Sequence, residues 1–399
     1  MTTSTDLYFK ADEAADLLGV SRATLYAYVS RKGIRTERVP GARERLYWKA
    51  DVLAAKAGRG GPARPAILEG IRTESALTFI SETGPYYRGS SAIALAEAHS
   101  VEEVAALLWG VAPEAAFTAR LPNLPENYAA LMSLIAGASA VDRSTVIMPF
   151  LEAANPRSFD LSPAGMAATG ADLLRVLASI LVRDAQPSVE PLHAYIAGKL
   201  GVTPAWGDTI RRLLILSMDH GFEPGTYAVR AVSSVGVSPY RSALAGLAIA
   251  SGRRTRFGRF DGLARLLAEI VASPDPASLI VGRLREGEEL PGFGYEIYPG
   301  GDPRAAAMFR QLDTVCGADE DYCRVLKAVA TVEDLRGLKP DFALVSMFIN
   351  GRIGLEARDS LFLLGRTVGW IAHSIEQFQT GAAHRPASAY IGRLPTAAA

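Results

Sequence analysis

Apolar residues recur at helical spacing through most of this chain, and that periodicity limits the fold more than any other feature. Five Ala- and Leu-rich stretches carry it, at residues 92–109, 164–180, 208–218, 240–250 and 361–378. Apolar residues at intervals of three and four line one face of a helix, whereas strand-type alternation is sparse here. We therefore predict a mainly α protein, and its 399 residues are enough for two or three domains.

Composition excludes several classes of protein. Forty-two basic residues balance 42 acidic ones, so nucleic acid or membrane could be recognised only through local charge. The apolar stretch 361–378 contains Arg366 and His373, and no apolar run approaches the length of a membrane span, so we expect no membrane contact. Cys316 and Cys323, seven apart on a predicted helix, indicate reduced thiols and a cytoplasmic location. The five scattered histidines predict no metal site.

Residues 8–53 have the pattern of a helix-turn-helix. Apolar residues line a short helix, Gly19 makes the turn, and Ser21 is a suitable N-cap for a second helix over residues 22–30. The following GARERLYW predicts a small β wing. Between residues 21 and 60, ten basic residues stand against three acidic ones, which favours contact with phosphates. The alternative is an interaction or dimerisation module that touches no DNA.

The pattern EAA-x-LLGVSRATLYAYV resembles the winged helix-turn-helix of the MerR type. By that resemblance Arg22, Thr24 and Tyr26 would face the major groove, and Arg43 and Arg45 would lie on the wing. We expect this domain to cover residues 1–56. Residues 57–66, AGRGGPARPA, are rich in Gly and Pro and predict a linker.

A Gly- and Pro-rich loop, LPGFGYEIYPGGDPRA at residues 290–305, is either a connector or a place where backbone approaches a ligand. From about residue 67 to the end, the chain resembles the citrate synthase family through segments that match in order. These are ESALTFISETGPYYRGSS, DHGFEPGTYAVR, GFGYEIYPGGDPRA, LFLLGRTVGWIAHSIEQ and RPASAYIG. The resemblance implies a citrate-synthase-like helical fold with a large and a small domain, preceded by the winged helix-turn-helix.

The resemblance also implies how the body is divided. The large domain would comprise residues 67–257 and 359–399, and the small domain residues 258–358. The backbone of Pro291, Gly292, Phe293 and Gly294 would contact CoA, with no tightly bound cofactor and acyl-CoA as ligand or co-substrate.

Members of this family join an acyl-CoA to oxaloacetate, and the resemblance assigns roles to five residues. Asp341, in LKPDFAL, would be the catalytic base, although an Asp at a helix start is also a common cap. Arg304, Arg366 and Arg385 would clamp a dicarboxylate, for which the guanidinium fork is well suited. His220 would contact the ligand. Because the last arginine crosses to the partner subunit in the family, a homodimer with shared sites is expected.

Three positions depart from the family pattern. The signature loop usually reads GFGH, and Tyr295 stands at that histidine. A second family histidine, which bonds the thioester oxygen, falls on Thr255 when counted without a gap from His220. Glu223 stands where the family tends to have Asn. A tyrosine hydroxyl can stabilise a developing oxyanion, so Tyr295 is a candidate carbonyl donor, whereas Thr255 is a poorer one.

Two functions remain open on this basis. The first is a ligand-sensing or DNA-linked regulatory protein with a degenerate catalytic site that binds an oxaloacetate-like dicarboxylate and acyl-CoA. The second is an active citrate or 2-methylcitrate synthase-type acyltransferase that uses Asp341 as base and Tyr295 as carbonyl donor. A structural subunit that pairs with a true citrate synthase is a third reading.

Overall fold

A computed structural model of the chain describes residues 8–32, 34–38, 44–56, 74–252, 254–255, 259–356, 360–381, 383–384 and 391. Three predictions fall outside these residues: the wing residue Arg43, the clamp residue Arg385 and the linker at 57–66. The chain forms two compact units. The first holds the elements between residues 8 and 56, and the second comprises Ser75–His384.

The first unit has the predicted helix-turn-helix and wing. Its elements are β1 (Tyr8–Phe9), α1 (Ala11–Leu18), α2 (Arg22–Lys32), β2 (Thr36–Arg38), β3 (Arg45–Trp48) and α3 (Lys49–Lys56). Gly19 ends α1 in the left-handed conformation, and the Ser21 hydroxyl accepts a hydrogen bond from the backbone N–H of Thr24 at the start of α2. The strands pair antiparallel in the order β1-β3-β2, so the predicted strand of the wing is paired on both sides.

A small core holds the first unit together. Leu25, Tyr47 and Val52 are fully buried and come from a helix, a strand and the next helix. The Arg35 guanidinium donates two hydrogen bonds to the Asp51 carboxylate, at 2.8 and 2.9 Å. These bonds connect α3 to the segment that precedes β2.

The second unit begins with a three-stranded antiparallel sheet of β4 (Thr78–Ser81), β5 (Gly84–Tyr87) and β6 (Ser90–Ser91). Helices make up the rest of its described elements. They are α4 (Ala92–Ala98), α5 (Val101–Trp109), α6 (Pro113–Ala116), α7 (Tyr128–Leu134), α8 (Ala140–Ala154), α9 (Pro163–Leu181), α10 (Leu192–Leu200), α11 (Pro204–Ser217), α12 (Pro224–Ser233), α13 (Pro239–Ala250), α14 (Phe260–Ala272), α15 (Pro276–Arg285), α16 (Pro303–Cys316), α17 (Glu320–Arg336), α18 (Phe342–Arg352) and α19 (Leu361–Gln379).

The mainly α prediction is confirmed, since 62% of the residues that the structure describes are helical. The apolar stretch at 92–109 is divided into α4 and α5, because Ser100 caps α5 in a reciprocal box with Glu103. The prediction that Cys316 and Cys323 lie on one helix is wrong. Cys316 ends α16 and Cys323 lies within α17, because Asp319 starts a new helix between them.

The prediction that no apolar segment reaches membrane-spanning length needs a correction for α9. Among the described residues this helix is long and apolar enough to cross a membrane, and 83% of its most apolar 18-residue window is buried inside the protein. A helix that is this long and apolar and is mostly buried is typical of a protein core.

Two glycines bring α19 into direct contact with the end of α11. A β-carbon on Gly365 would lie 2.5 Å from the carbonyl oxygen of Leu214, and one on Gly369 would lie 2.1 Å from that of Met218. Side chains are excluded at this crossing, so the two backbones approach closely. The crossing places Arg366 of α19 beside the residues that follow α11.

The start of the second unit is tied to α19. The backbone N–H of Ala76 donates to Glu376 at 2.7 Å, and the other oxygen of Glu376 accepts from the buried Arg230 at 2.5 Å. Arg230 also lies 3.3 Å from Nδ1 of His373. The first residues of the second unit are therefore hydrogen-bonded to its last long helix.

Candidate active site

Six of the predicted site residues line one cavity in the second unit, of about 240 Å³. We call it the small cavity, and those residues are His220, Thr255, Tyr295, Arg304, Asp341 and Arg366. They come from five separate parts of the chain, so the fold brings together residues that the sequence keeps up to 146 positions apart.

Asp341 is the N-cap of α18, as the structural alternative proposed. One of its carboxylate oxygens accepts from the backbone N–H groups of Ala343 and Leu344, at 2.9 and 3.1 Å. The residue is 4% exposed and also lines the small cavity. The cap fixes the carboxylate at the cavity wall, so the two roles considered for this residue are compatible.

The signature loop is fastened to the segment that carries Asp341. The N–H of Asp341 donates to the carbonyl of Gly292, and the N–H of Gly294 donates to that of Lys339, both at 2.8 Å. Gly292 has a φ of +88°, and a β-carbon there would lie 2.9 Å from Leu344. Glycine is therefore required where the loop meets α18.

His220 lies between two tyrosines of the signature loop. Its Nε2 is 2.7 Å from the Tyr298 hydroxyl, and its Nδ1 is 3.3 Å from the Tyr295 hydroxyl. Sequence reasoning missed Tyr298, although its position three residues after Tyr295 in the same loop was a usable signal.

The surroundings of Tyr298 assign the protons in this group. Tyr298 is 3% exposed, and His220 is the hydrogen-bond partner of its hydroxyl within the described residues. A buried hydroxyl proton without an acceptor costs about 1–3 kcal/mol, so Tyr298 donates to Nε2. Neutral His220 then carries its proton on Nδ1 and donates to the Tyr295 oxygen. The hydroxyl proton of Tyr295 need not be given to His220, and it can be donated to an acceptor in the small cavity.

Arg304 is held by the residue two positions before it. Asp302 accepts from its Nε at 3.1 Å and from its Nη2 at 2.8 Å, and both residues are buried. Burial acts to lower the pKa of Arg304, but the charge of Asp302 outweighs it and holds the pKa above its ordinary range. The guanidinium also lies over the Phe342 ring, 4.6 Å from its centroid. The orientation of Arg304 is thus fixed before any ligand binds.

Arg366 is 1% exposed and lies between two carboxylates. Its Nε is 3.3 Å from Glu223, and its Nη1 is 3.7 Å from Asp219. Neither atom makes a hydrogen bond within the described structure, and Nε1 of the adjoining Trp370 also has none. Buried donors left unmatched in a cavity are costly, so this arrangement fits a site that receives an acceptor-rich ligand.

The two carboxylates beside Arg366 differ in their pKa. Burial would raise the pKa of Asp219, but His373 and then Arg366 outweigh it and hold the pKa well below its usual range. Burial raises the pKa of Glu223, and the attraction of Arg366 only partly offsets this. His373 is fully buried and lies 3.3 Å from Asp219, within the core around α19.

The Thr255 hydroxyl is engaged by its own backbone. Its one proton is shared between the carbonyl oxygens of Gly252, at 2.7 Å, and Ala250, at 3.0 Å, at and just after the end of α13. A hydroxyl has one proton, so donation to a thioester oxygen requires rotation of this side chain. Its proposed role as a donor stays a prediction.

A larger cleft of about 1110 Å³ adjoins the small cavity. The predicted CoA-contacting residues Pro291, Gly292, Phe293 and Gly294 line it, together with the basic residues Arg254, Arg259, Arg265 and Arg336. Asp341, Thr255 and Arg254 line both spaces. The predicted base therefore lies where the small cavity and the large cleft meet.

In the first unit, the predicted DNA-contacting residues of α2 are exposed, with Tyr26 at 55%. Arg22 forms an exposed ion pair with Asp12, and a phosphate would have to compete with that carboxylate. Arg45 lies in β3 and is partly exposed.

Comparison with known families decides the identity of the second unit. The family described as "Citrate synthase, C-terminal domain" matches residues 68–387. The chain belongs to the citrate synthase family. A second family, "Helix-turn-helix domain", matches residues 8–60, which agrees with the fold of the first unit. The family assignment predicted from the motifs is thus confirmed.

Curated citrate synthase relatives match at moderate identity. "Putative citrate synthase 2" of Mycobacterium tuberculosis is 29% identical over 45% of this chain, and the chain spans about half (50%) of that relative's length. "2-methylcitrate synthase 1" of Corynebacterium glutamicum is 26% identical over 77% of this chain and 88% of its own.

Solved citrate synthases share the fold. The citrate synthase of Pyrobaculum aerophilum superposes with a TM-score of 0.69 at 18% identity, covering 82% of this chain and 92% of that one. A citrate synthase of Thermoplasma acidophilum, in a ternary complex with carboxymethyl coenzyme A and oxaloacetate, gives 0.68 at 20% identity, covering 82% and 96%.

Proposed function

We propose that this protein is a citrate synthase-type acyltransferase. It binds an oxaloacetate-like 2-oxo dicarboxylate in the small cavity and an acyl-CoA in the large cleft, and joins them. The observation that carries the proposal is the position of Asp341, which lines both spaces. A base that takes a proton from one substrate, so that its carbon can attack the other, has to lie between them.

The chemistry assigns a task to each group. The Asp341 carboxylate removes a proton from the carbon next to the thioester carbonyl. The electron pair left on that carbon forms the new bond to the ketone carbon, and the ketone oxygen takes a proton from the Tyr295 hydroxyl. Water then cleaves the thioester, which releases the CoA thiol and leaves a carboxylate on the product.

Arg304 and Arg366 hold the carboxylates of the 2-oxo acid, and His220 supports the Tyr295 oxygen through Nδ1–H. This support stabilises the tyrosine oxygen once its proton has left. Such donors act at the developing charge of the transition state, and each contributes roughly 10²–10³ in rate.

The relatives support this assignment of ligands. The Thermoplasma acidophilum structure carries carboxymethyl coenzyme A together with oxaloacetate, and other relatives are named 2-methylcitrate synthases. Among the described residues, Asp341, Arg304, Arg366 and the glycine loop line the two adjoining spaces, which supports the proposal.

A second candidate function is a ligand sensor with a degenerate catalytic site, linked to DNA through the first unit. The state of Thr255 favours it, because the hydroxyl at the position of the second family histidine is bonded to backbone carbonyls at and just after the end of α13. In that case ligand binding in the second unit would regulate a contact made by the helix-turn-helix.

Release of CoA thiol from acetyl-CoA or propionyl-CoA in the presence of oxaloacetate distinguishes these functions. Asp341→Asn is the informative variant, because Asn is as good an N-cap as Asp but is not a base. We expect turnover in the unaltered protein and a loss of about 10²–10⁴ in the variant. Asp334→Asn, at an exposed position on α17, is the matched control and should retain full turnover.

Equal turnover in Asp341→Asn and the unaltered protein would contradict the enzymatic proposal. If neither protein releases thiol while oxaloacetate still binds, the sensing function gains support. Binding of DNA fragments with and without oxaloacetate is then the measurement to make.

A further inference from the structure

Glu223 occupies an unusual place in the small cavity. It is the N-cap residue of α12, but its side chain makes no capping hydrogen bond. Its carboxylate turns instead toward Arg366, with Oε1 3.3 Å from Nε, and Oε1 is buried without a hydrogen-bond partner within the described structure. This carboxylate therefore lies against the arginine that is expected to receive the ligand.

The charges that face Glu223 come from several elements. Asp219 precedes α12, Arg366 and His373 lie on α19, and Arg304 lies on α16. Arg366 already has Asp219 at 3.7 Å, so an ionised Glu223 places two carboxylates beside one guanidinium. The charge of Arg304 is likewise met by Asp302. With Glu223 ionised and His373 neutral, the three carboxylates of Asp219, Glu223 and Asp302 outnumber the two guanidinium groups.

The other titratable side chains of the cavity do not change this balance. They are His220, Arg254, Tyr295 and Asp341. Arg254 is exposed and shared with the large cleft, and its charge is offset by Asp341 if that residue is to act as a base. A ligand with two carboxylates would therefore enter a cavity whose own carboxylates repel it.

We propose that Glu223 enters the ligand complex as a neutral acid, so that binding of the carboxylate ligand takes up one proton. As a neutral acid it ceases to repel the ligand and gains an O–H donor for a ligand carboxylate. Arg366 is then paired with the ligand instead of with a second carboxylate. This inference rests on the proposed function, because it concerns the same ligand in the same cavity.

The local environment makes this protonation accessible. Burial raises the pKa of Glu223 above its ordinary range, and an incoming anion raises it further. Above the pKa of Glu223 in the ligand-free protein, affinity should fall by about tenfold for each unit of pH, because one proton is bound with the ligand. Below that pKa, affinity should level off.

Isothermal titration calorimetry with oxaloacetate between pH 5.5 and 8.5 tests the inference. Titrations at one pH in buffers of different ionisation enthalpy count the protons taken up. We expect close to one proton in the unaltered protein at high pH and close to none in Glu223→Gln, which keeps the shape of the side chain and removes its charge. The variant should also bind more tightly than the unaltered protein at pH 8.5.

Two further variants serve as controls. Glu223→Asn, a smaller neutral residue, should reproduce the loss of pH dependence if the charge is the cause. Glu114→Gln, at an exposed position on α6, should behave as the unaltered protein.

The outcomes separate this inference from the function on which it rests. A pH dependence that survives unchanged in Glu223→Gln would assign the proton to another group such as His220 and overturn the inference alone. Absence of oxaloacetate binding by the unaltered protein at every pH would overturn the proposed function as well.

Discussion

His220 has a tyrosine hydroxyl at each ring nitrogen, and the two hydroxyls have different surroundings. Tyr298 is buried with His220 as its partner, whereas Tyr295 lines the small cavity. The proton order that follows runs from Tyr298 through His220 to Tyr295. In the proposed function, this order leaves the Tyr295 proton available to the ligand because Tyr298 fixes the tautomer of His220.

Tyr298→Phe tests this order of protons. Without the donor at Nε2, His220 can carry its proton there, and Tyr295 then donates to Nδ1 instead of to a ligand. We expect turnover to fall by about tenfold or more, which corresponds to one net hydrogen bond of about 1.4 kcal/mol. The ¹⁵N chemical shifts of the His220 ring should report Nδ1–H in the unaltered protein and Nε2–H in the variant.

Tyr295→Phe is the comparison for that experiment. It should lower turnover while leaving the proton on Nδ1, because Tyr298 still donates to Nε2. An Nε2–H tautomer in the unaltered protein would show that the assignment is wrong.

Contacts between residues close together in the chain are easier to predict from sequence than contacts between distant residues. The Asp302–Arg304 pair joins residues only two apart in the chain, so it is a local contact. The His220–Tyr298 contact joins residues 78 apart, and no periodicity or local motif encodes such a distance. Family resemblance gave the positions of Asp341 and Arg366, but not the groups that surround them.

At the scale of elements, the crossing of α11 and α19 positions much of the site. Gly365 and Gly369 let the two backbones meet, and the segment after α11 carries Asp219 and His220. Arg366 lies between those glycines on α19. A displacement of α19 would therefore separate the arginine from the histidine and from Asp219.

Gly369→Ala tests the importance of that crossing. Its β-carbon would lie 2.1 Å from the backbone oxygen of Met218, so relief requires movement of a helix. We expect a loss of about 1–3 kcal/mol in the free energy of unfolding and weaker oxaloacetate binding, measured by urea denaturation and calorimetry.

Gly282→Ala on α15 is the matched control, because a β-carbon there meets nothing within 4 Å. It should raise stability by up to about 1 kcal/mol, the difference in helix propensity between Gly and Ala. Equal effects of the two substitutions would contradict the role given to the crossing.

Helix positions were largely predictable from sequence, and helix contacts were not. The periodic stretches at 164–180 and 361–378 correspond closely to α9 and α19, because an apolar face of that length has few alternatives to a buried helix. Which helices touch at glycine depends on pairing between segments more than a hundred residues apart. The sequence shows small residues but not their partners.

At the scale of the whole molecule, the homodimer with shared sites stays a proposal. Mixing two inactive variants tests it. If Arg385 of one subunit completes the site of the other, Asp341→Asn and Arg385→Ala subunits should each be inactive alone. Unfolding and refolding them together gives mixed dimers with one intact site. We expect about a quarter of the normal activity to return, from the random pairing of subunits.

The mass of the particle in solution is the accompanying measurement. Light scattering should give twice 42.5 kDa for the unaltered protein and for both variants. Recovery of no activity by mixed dimers of that mass would contradict a shared site, whereas a particle of single mass would contradict the dimer.

The hydrogen bond from Ala76 to Glu376 has a consequence for how such a chain could arise. Ala76, near the start of the second unit, is hydrogen-bonded to Glu376 on the last long helix of the same unit. A gene fusion that joins a new sequence ahead of residue 75 would leave those contacts intact. Replacement of the helix-turn-helix by another front domain would likewise leave this hydrogen bond in place.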